Sequence, residues 1–212
     1  QDLGNVLGLG RQLGLKVWGD ADAALAALHP DVVLHATGSH LPDVMEQFLG
    51  LVRAGAHVVS TCEELSYPFY RHPQLARELD AAAKTGGCVL LGTGVNPGFV
   101  MDKLVATLLG ACQQVERVEV TRVVDAAGRR GPLQRKVGAG MTAAEFQALV
   151  DAGKLGHVGL TESAQMLADV LRLPATRQVD EVIRPKIAVR EVKTDFVHVL
   201  PGQVAGVDQV AT

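Results

Sequence analysis

One loop constrains this 212-residue chain more than any other feature, because it joins an apolar strand to a helix through three glycines, an asparagine and a proline. The strand covers Cys88 to Leu91, and the loop follows from Gly92 to Phe99. In an open parallel sheet, loops at the carboxyl ends of strands bind ligands. Glycine lets the backbone approach a flat ring closely, and Pro97 fixes φ where the helix begins. The pattern therefore predicts a ligand-binding turn; a tight turn without a ligand is the alternative.

The composition favours an aliphatic core of a sheet covered by helices on both faces, since apolar residues make up 48% of the chain and aromatic residues only 4%. A net charge of −3 without a basic stripe argues against a nucleic acid or a membrane surface as the main partner. The three cysteines lack the spacing of metal ligands, so we expect no metal. Free thiols and the lack of a long apolar run predict a cytoplasmic protein.

Strand and helix patterns alternate along the first half of the chain. Three apolar runs have the length of strands buried on both faces, and hence parallel: 31–37, 56–61 and 88–91. Four segments have helical spacing: 20–28, 42–54, 73–84 and 97–109. This alternation predicts a Rossmann-like, doubly wound parallel sheet of the α/β class. No G-x-G-x-x-G motif follows a strand, so we expect the first βα unit to be missing and the chain to be an interior part of a longer polypeptide.

The pattern changes near residue 112, which divides the chain into a nucleotide-binding part, 1–111, and an α+β domain with a mixed sheet, 112–212. In the second part a capping box, Thr142 with Glu145, predicts a helix over 142–150. A further helix is predicted over 161–171, ended by Pro174, and a basic loop over 126–140. Three segments are predicted as strands: 115–124, 179–183 and 187–200.

Two of these strands, 115–124 and 187–200, alternate apolar with charged residues. Such strands suit a sheet covered on one face by its own helices and on the other by a second subunit. The pattern therefore predicts a homodimer or homotetramer, with a solvated outer face as the alternative.

Small and polar residues end all three strands of the first half, and parallel topology places these ends along one crevice. Hydroxyl groups there can contact a ribose or a pyrophosphate, and the two later loops can frame a nicotinamide. The candidate cofactor-binding residues are Thr37, Ser39, Thr61, Cys62, Glu63, Gly92, Thr93 and Gly94.

The candidate substrate and catalytic residues lie in three segments. Arg129 and Arg130 offer planar forks for a substrate carboxylate, and Asn96 offers an amide that can face a ligand. Lys136 and His157 are candidates for proton transfer, with Glu162 to orient them. A solvated basic loop, a surface histidine and an ordinary helix cap are the alternatives.

Several segments carry a resemblance to a known family, in order along the chain: 60–68 with 71–73, 92–102, 121–125, 134–140 and 156–163. Together they resemble the 2,4-diaminopentanoate dehydrogenase family, which is related to dihydrodipicolinate reductase. The resemblance implies a Rossmann domain followed by an α+β domain, an NAD or NADP cofactor and the oxidative deamination of a diamino acid. It leaves the choice of cofactor open, because the residue that decides it is expected before Gln1. The reductases carry paired histidines where this chain has none, between Val120 and Gly140.

The first interpretation is therefore an NAD(P)-dependent dehydrogenase that oxidises the amine-bearing carbon of a small amino acid. Arg130 would hold the carboxylate, and Lys136 or His157 would move the proton. The second interpretation is the reduction of a cyclic imine, and the third is a non-catalytic nucleotide-fold scaffold.

Overall fold

The computed structural model describes residues 1–173 and 178–212. Pro174, which we expected to end a helix, lies outside the described residues. The first half contains these elements in chain order: α1 Leu3–Val6, α2 Ala21–Leu28, β1 Val32–His35, α3 Leu41–Arg53, β2 His57–Ser60, a 3₁₀ turn Glu64–Ser66, α4 Pro73–Gly86, β3 Leu90–Gly92 and α5 Lys103–Leu109. The second half contains α6 Gly131–Lys136, α7 Ala143–Asp151, α8 Leu160–Val170, β4 Glu181–Ile187, β5 Val192–Lys193, β6 His198–Val199 and β7 Val204–Ala211. No helix in these two ranges is long and apolar enough to cross a membrane.

The first three strands form one parallel sheet, as predicted, and their order in it is β1-β2-β3. Helix α3 packs against α4 and β2, and its apolar stripe, which includes Phe48 and Val52, fills the core around Val58. The opposite face is open, because Leu34 is 81% exposed and Leu91 is 46% exposed. The expectation of strands buried on both faces is therefore wrong within the described residues, where the helices cover one face only.

The second half is built around an antiparallel pair, β4 with β7, beside a short β5–β6 hairpin. Helix α7 begins with the predicted capping box: Thr142 and Glu145 satisfy each other's backbone N–H groups. The chain is thus a mixed α/β structure with separate parallel and antiparallel sheets. The parallel strands fall in 1–111 and the antiparallel strands in 112–212; this division stays a prediction.

One predicted strand is absent from the described structure, and another is divided into shorter strands. The segment 115–124 is irregular and lies along a cavity of about 810 Å³. An alternating pattern makes a strand only where a neighbouring strand satisfies its backbone hydrogen bonds. The segment 187–200 reverses direction, since the Thr194 hydroxyl accepts the N–H groups of Phe196 and Val197 and makes the turn of the β5–β6 hairpin. The pairing of subunits through these two strands loses its basis, and the oligomeric state stays a prediction.

Two helix bounds also differ from the expectation. Helix α5 begins at Lys103 rather than Pro97, because Asp102 caps it through the Lys103 N–H. The basic loop contains the short helix α6, which has Pro132 in its first turn, where a missing N–H costs nothing.

Candidate active site

The loops that follow β1, β2 and β3 line a single crevice of about 420 Å³. Parallel strand direction explains this arrangement, since it brings the three carboxyl ends to one sheet edge. Six of the candidate residues contribute to its walls: Thr37, Ser39, Thr61, Glu63, Gly94 and Asn96. Their hydroxyl, carboxylate and amide groups make the crevice polar.

Three other candidates support the loops instead of lining the crevice. Cys62 is fully buried, and its thiol donates to the Ser39 carbonyl at 3.3 Å. Burial raises the pKa of Cys62 to about 11, so it stays a neutral thiol. A Cβ on Gly92 would lie 2.1 Å from the Leu65 carbonyl oxygen, so the glycine lets the 3₁₀ turn pack on β3. Thr93 extends the sheet by donating its N–H to the Ser60 carbonyl at 2.8 Å.

The glycine loop folds tightly on itself, and a buried carboxylate, Asp102, fixes it through a hydrogen bond. Gly98 has φ +113°, and a Cβ there would lie 2.5 Å from the Gly94 nitrogen. The Gly98 N–H donates to Asp102 Oδ2 at 2.7 Å, and the Ser163 hydroxyl donates to the same oxygen at 2.7 Å. Asp102 therefore connects this loop to α8, 61 residues further along the chain.

His157 lies against the crevice wall. Its Nε2 and the Asn96 Nδ2 are 3.0 Å apart, while Asn96 Oδ1 is buried without a partner among the described residues. Gln209 on β7 grips the His157 backbone at both ends, accepting its N–H at 2.6 Å and donating to its carbonyl at 2.9 Å. Gly159, with φ +92°, lies so close to Pro97 that a Cβ would be 2.3 Å from its Cγ. The second half of the chain thus delivers a histidine to the crevice of the first.

Several charges surround the His157 ring. Burial lowers the pKa of His157, and the nearby Lys136 ammonium and Arg122 guanidinium lower it further, against the opposing effect of the Glu63 carboxylate. The ring is therefore neutral near pH 7. With Nε2 accepting from the Asn96 amide, the proton of the neutral ring is assigned to Nδ1.

Only some of the predicted site residues lie near His157. The structure brings Asn96 against His157, and it leaves Lys136 and the crevice residue Glu63 near enough for their charges to shift the pKa of His157. It adds Arg122, which we had not predicted; the one sequence signal was its place in the 121–125 segment of the family resemblance. Arg122 is exposed and so is free to meet a ligand.

Arg129 and Arg130 occupy a different setting. Both are exposed, just before α6, and neither guanidinium has a hydrogen-bond or ion-pair partner in the described chain. The loop around them is shaped by the buried Gln134, which donates to the Arg129 carbonyl at 2.7 Å and accepts from the Thr194 hydroxyl at 2.7 Å. Their substrate role stays a prediction.

Glu162 is completely buried and pairs with Arg71, whose Nε lies 2.7 Å from Glu162 Oε1. Its other carboxylate oxygen accepts the Thr161 hydroxyl at 2.8 Å. The structure therefore places Glu162 beside Arg71, and its predicted role in orienting a catalytic group stays a prediction.

The family model of the 2,4-diaminopentanoate dehydrogenase C-terminal domain matches residues 99–212. The chain belongs to the 2,4-diaminopentanoate dehydrogenase family. The match includes Asp102 and, from the second half of the chain, Arg122, Lys136 and His157.

Similar proteins agree with the family. The chain is 33% identical to a 2,4-diaminopentanoate dehydrogenase of Acetoanaerobium sticklandii over 95% of its own length and 62% of the relative. It is 33% identical to an amine dehydrogenase of Streptomyces virginiae over 59% of its length and 35% of that relative. Its fold is similar to that of an amine dehydrogenase from Mycobacterium smegmatis, with a TM-score of 0.78 and 30% identity, over all of this chain and 62% of that one. The chain thus spans about three fifths of two of these dehydrogenases.

Proposed function

We propose that the protein oxidatively deaminates a small diamino acid such as 2,4-diaminopentanoate, with NAD or NADP as the cofactor. The observation that carries this proposal is the contact between Asn96 and His157, which connects a polar crevice at strand ends to a neutral histidine. The relatives named above, which are 2,4-diaminopentanoate and amine dehydrogenases, support the same class of reaction.

The parallel strands β1–β3 would then belong to a Rossmann-like domain, and the crevice would hold the dinucleotide. The residues present fit such a group. Thr37, Ser39 and Thr61 offer hydroxyls to ribose or phosphate oxygens, and the unpartnered Asn96 Oδ1 can accept an N–H from a carboxamide or an amine. A bound NAD or NADP supplies the acceptor for a hydride from the amine-bearing carbon.

The charges around His157 fit the two ends of an amino acid. Glu63 lines the crevice and can hold the substrate ammonium. The charge of the Arg122 guanidinium lowers the pKa of His157, so we assign Arg122, in place of Arg130, to the substrate carboxylate. Holding both ends of the substrate aligns the carbon that loses hydride.

Proton transfer falls to His157, with Lys136 close by. Loss of hydride and of one N–H proton converts the substrate amine to an imine, and addition of water to that imine releases ammonia and leaves a ketone. The neutral ring accepts the proton at Nε2 when the substrate N–H replaces the Asn96 amide as the hydrogen-bond donor to that atom. The Lys136 ammonium, together with burial, lowers the pKa of His157 and so favours the neutral ring.

The test is an assay of reduced nicotinamide formation, followed by absorbance, with either cofactor. Substrates are 2,4-diaminopentanoate, a monoamine without a carboxylate, and a cyclic imine in the reductive direction. We expect the highest kcat/KM with the diamino acid, and Arg122→Ala should remove its advantage over the monoamine, whereas Arg130→Ala should not. Turnover of the cyclic imine alone would favour the reductase interpretation, and no turnover of any compound would favour the scaffold.

A further inference from the structure

Two buried carboxylates from distant parts of the chain lie near Arg71. Glu64 lies in the 3₁₀ turn after β2 and has a side chain only 4% exposed, while Glu162 lies in the first turn of α8 and is 0% exposed. A buried carboxylate is costly unless a positive charge or several hydrogen bonds compensate it.

Arg71 serves both of these carboxylates. Its Nε donates to Glu162 Oε1 at 2.7 Å and lies 3.9 Å from Glu64 Oε1, while its Nη2 donates to the Thr161 hydroxyl at 2.8 Å. Burial alone would lower the pKa of Arg71, but the charge and hydrogen bond of Glu162, together with the charges of Glu64 and Glu181, outweigh it and raise the pKa. One rigid guanidinium thus connects the turn after β2 to the start of α8.

On the first side, Glu64 holds two loops of the crevice together. It accepts hydrogen bonds from His40 Nδ1 at 3.1 Å, from the Leu41 N–H at 2.8 Å and from His72 Nε2 at 2.7 Å. Burial would raise the pKa of Glu64, but these donors outweigh it and keep the carboxylate ionised. Its own N–H donates to the Ser39 carbonyl at 3.2 Å, which ties the loop after β2 to the loop after β1.

On the second side, Glu162 and Thr161 fix the first turn of α8, which directly follows the segment of His157. Gly159, at the N-terminal end of this helix, is packed on Pro97, one residue from Asn96. A shift of this turn therefore changes the distance between His157 Nε2 and the Asn96 amide, which is 3.0 Å.

We infer that Arg71 is a positioning residue, which holds the start of α8 against the turn after β2 and so sets His157 against Asn96 at the crevice. The inference deepens the proposed function and depends on it for its kinetic consequence, but the placement of the His157 ring is measurable without turnover. Lysine retains the charge, but it lacks the planar fork that reaches Glu162 and Thr161 together.

The test uses Arg71→Ala and Arg71→Lys, with ¹⁵N-histidine NMR of the His157 ring, the pH dependence of that ring, and kcat at saturating substrate. We expect both variants to change the ring signals and to lower kcat roughly tenfold to a hundredfold, with a smaller change in KM, because the groups are displaced rather than removed. Lysine should restore thermal stability without restoring the ring signals. If Arg71→Ala fails to fold, Arg71→Lys decides the question alone.

The matched control is Tyr67→Phe, which removes a hydrogen bond between the Tyr67 hydroxyl and Asp169 at the other end of α8. It should lower stability and leave both the His157 ring and kcat unchanged. If the Arg71 variants also lower stability only, the inference is overturned, while the proposed function stands. If the wild-type protein turns over no amine and the ring signals still respond to Arg71, the proposed function fails and the positioning role stands.

Discussion

The glycine loop (residues 92–99) and the start of the basic loop (residues 126–130) both contain glycine and polar groups, yet they differ in what supports them. The first is fixed by the buried Asp102 and faces His157. In the second, Gln134 holds the backbone while the guanidinium groups of Arg129 and Arg130 extend outward without partners in the described chain. The difference teaches that a cluster of functional groups indicates a site only where the fold also restricts them. Charge density alone favours the basic loop as the functional site, whereas the contacts favour the glycine loop.

The largest expected effect contrasts Arg122 with Arg130. Arg122→Ala should raise KM and cost about 2–4 kcal/mol in kcat/KM, because it removes a charged partner of the substrate carboxylate. Arg130→Ala should change stability by about 0.5 kcal/mol or less and leave the kinetics alone. Steady-state kinetics with 2,4-diaminopentanoate measure both. A larger kinetic effect of Arg130→Ala than of Arg122→Ala would place the carboxylate-binding site in the basic loop and contradict the comparison between the two loops.

The next effect concerns the pair that meets at the crevice. His157→Ala and Asn96→Ala should each lower kcat about a hundredfold, since positioned proton transfer contributes on this order. His198→Ala is the control, because this histidine lies in the hairpin and pairs with Glu191 at 2.6 Å. Equal kinetics of all three variants would show that the Asn96–His157 contact is structural only.

The next prediction compares the contributions of two aspartates to stability: Asp102, beside the glycine loop, and Asp125, beside the basic loop. Asp102→Ala should cost about 2–3 kcal/mol in the free energy of unfolding, because it removes a helix cap and leaves the Gly98 N–H and the Ser163 hydroxyl unsatisfied. Within residues 1–173 and 178–212, Asp125 accepts only the exposed Ala127 N–H, so Asp125→Ala should cost about 0.5 kcal/mol or less. Urea unfolding of both variants measures the difference, and similar costs would contradict the contrast in support.

The smallest effect is a displacement of the pH profile. The pKa of His157 is lowered from 6.5, so the acid limb of kcat/KM should lie below pH 6.5. Lys136→Gln removes a cation that lowers the pKa of His157 and should therefore move this limb upward. Because the folded-state pKa is the lower one, the contribution of His157 to stability is complete above the unfolded-state pKa and is lost as the pH falls toward the folded-state value.

Lys154→Gln controls for the removal of an exposed cation from the same half of the chain, and it should leave the acid limb in place. An equal shift in both variants would trace the effect to net charge and not to a cation near His157.

The sequence was sufficient to predict the three crevice loops because their position follows from strand order alone. Strands of apolar residues that alternate with helices become parallel, and polar residues at their ends then meet at one edge. The capping box at Thr142 was predicted for a similar reason, since its partners lie three residues apart. Local patterns of this kind need no knowledge of the rest of the fold.

The remaining features depend on partners that are distant in sequence. The Arg71–Glu162 ion pair spans 91 residues and Gln209 grips a backbone 52 residues away, so neither leaves a local pattern. The segment 115–124 has the period of a strand, but a strand also requires a neighbouring backbone, and sequence spacing does not report whether one exists. A role for Arg122 was not predictable from sequence, because the role of an exposed cation depends on the groups that surround it in the fold.

Asn96 and His157 are separated by 61 residues, and each is held by its own half of the molecule. A contact of such long range forms late when a chain folds, because the intervening segment must be closed first. Refolding of this protein should therefore regain helix content before it regains a neutral, hydrogen-bonded His157 ring. A truncated or partly unfolded chain would keep its crevice and lose its proton acceptor, so the ring reports on assembly of the two halves as well as on chemistry.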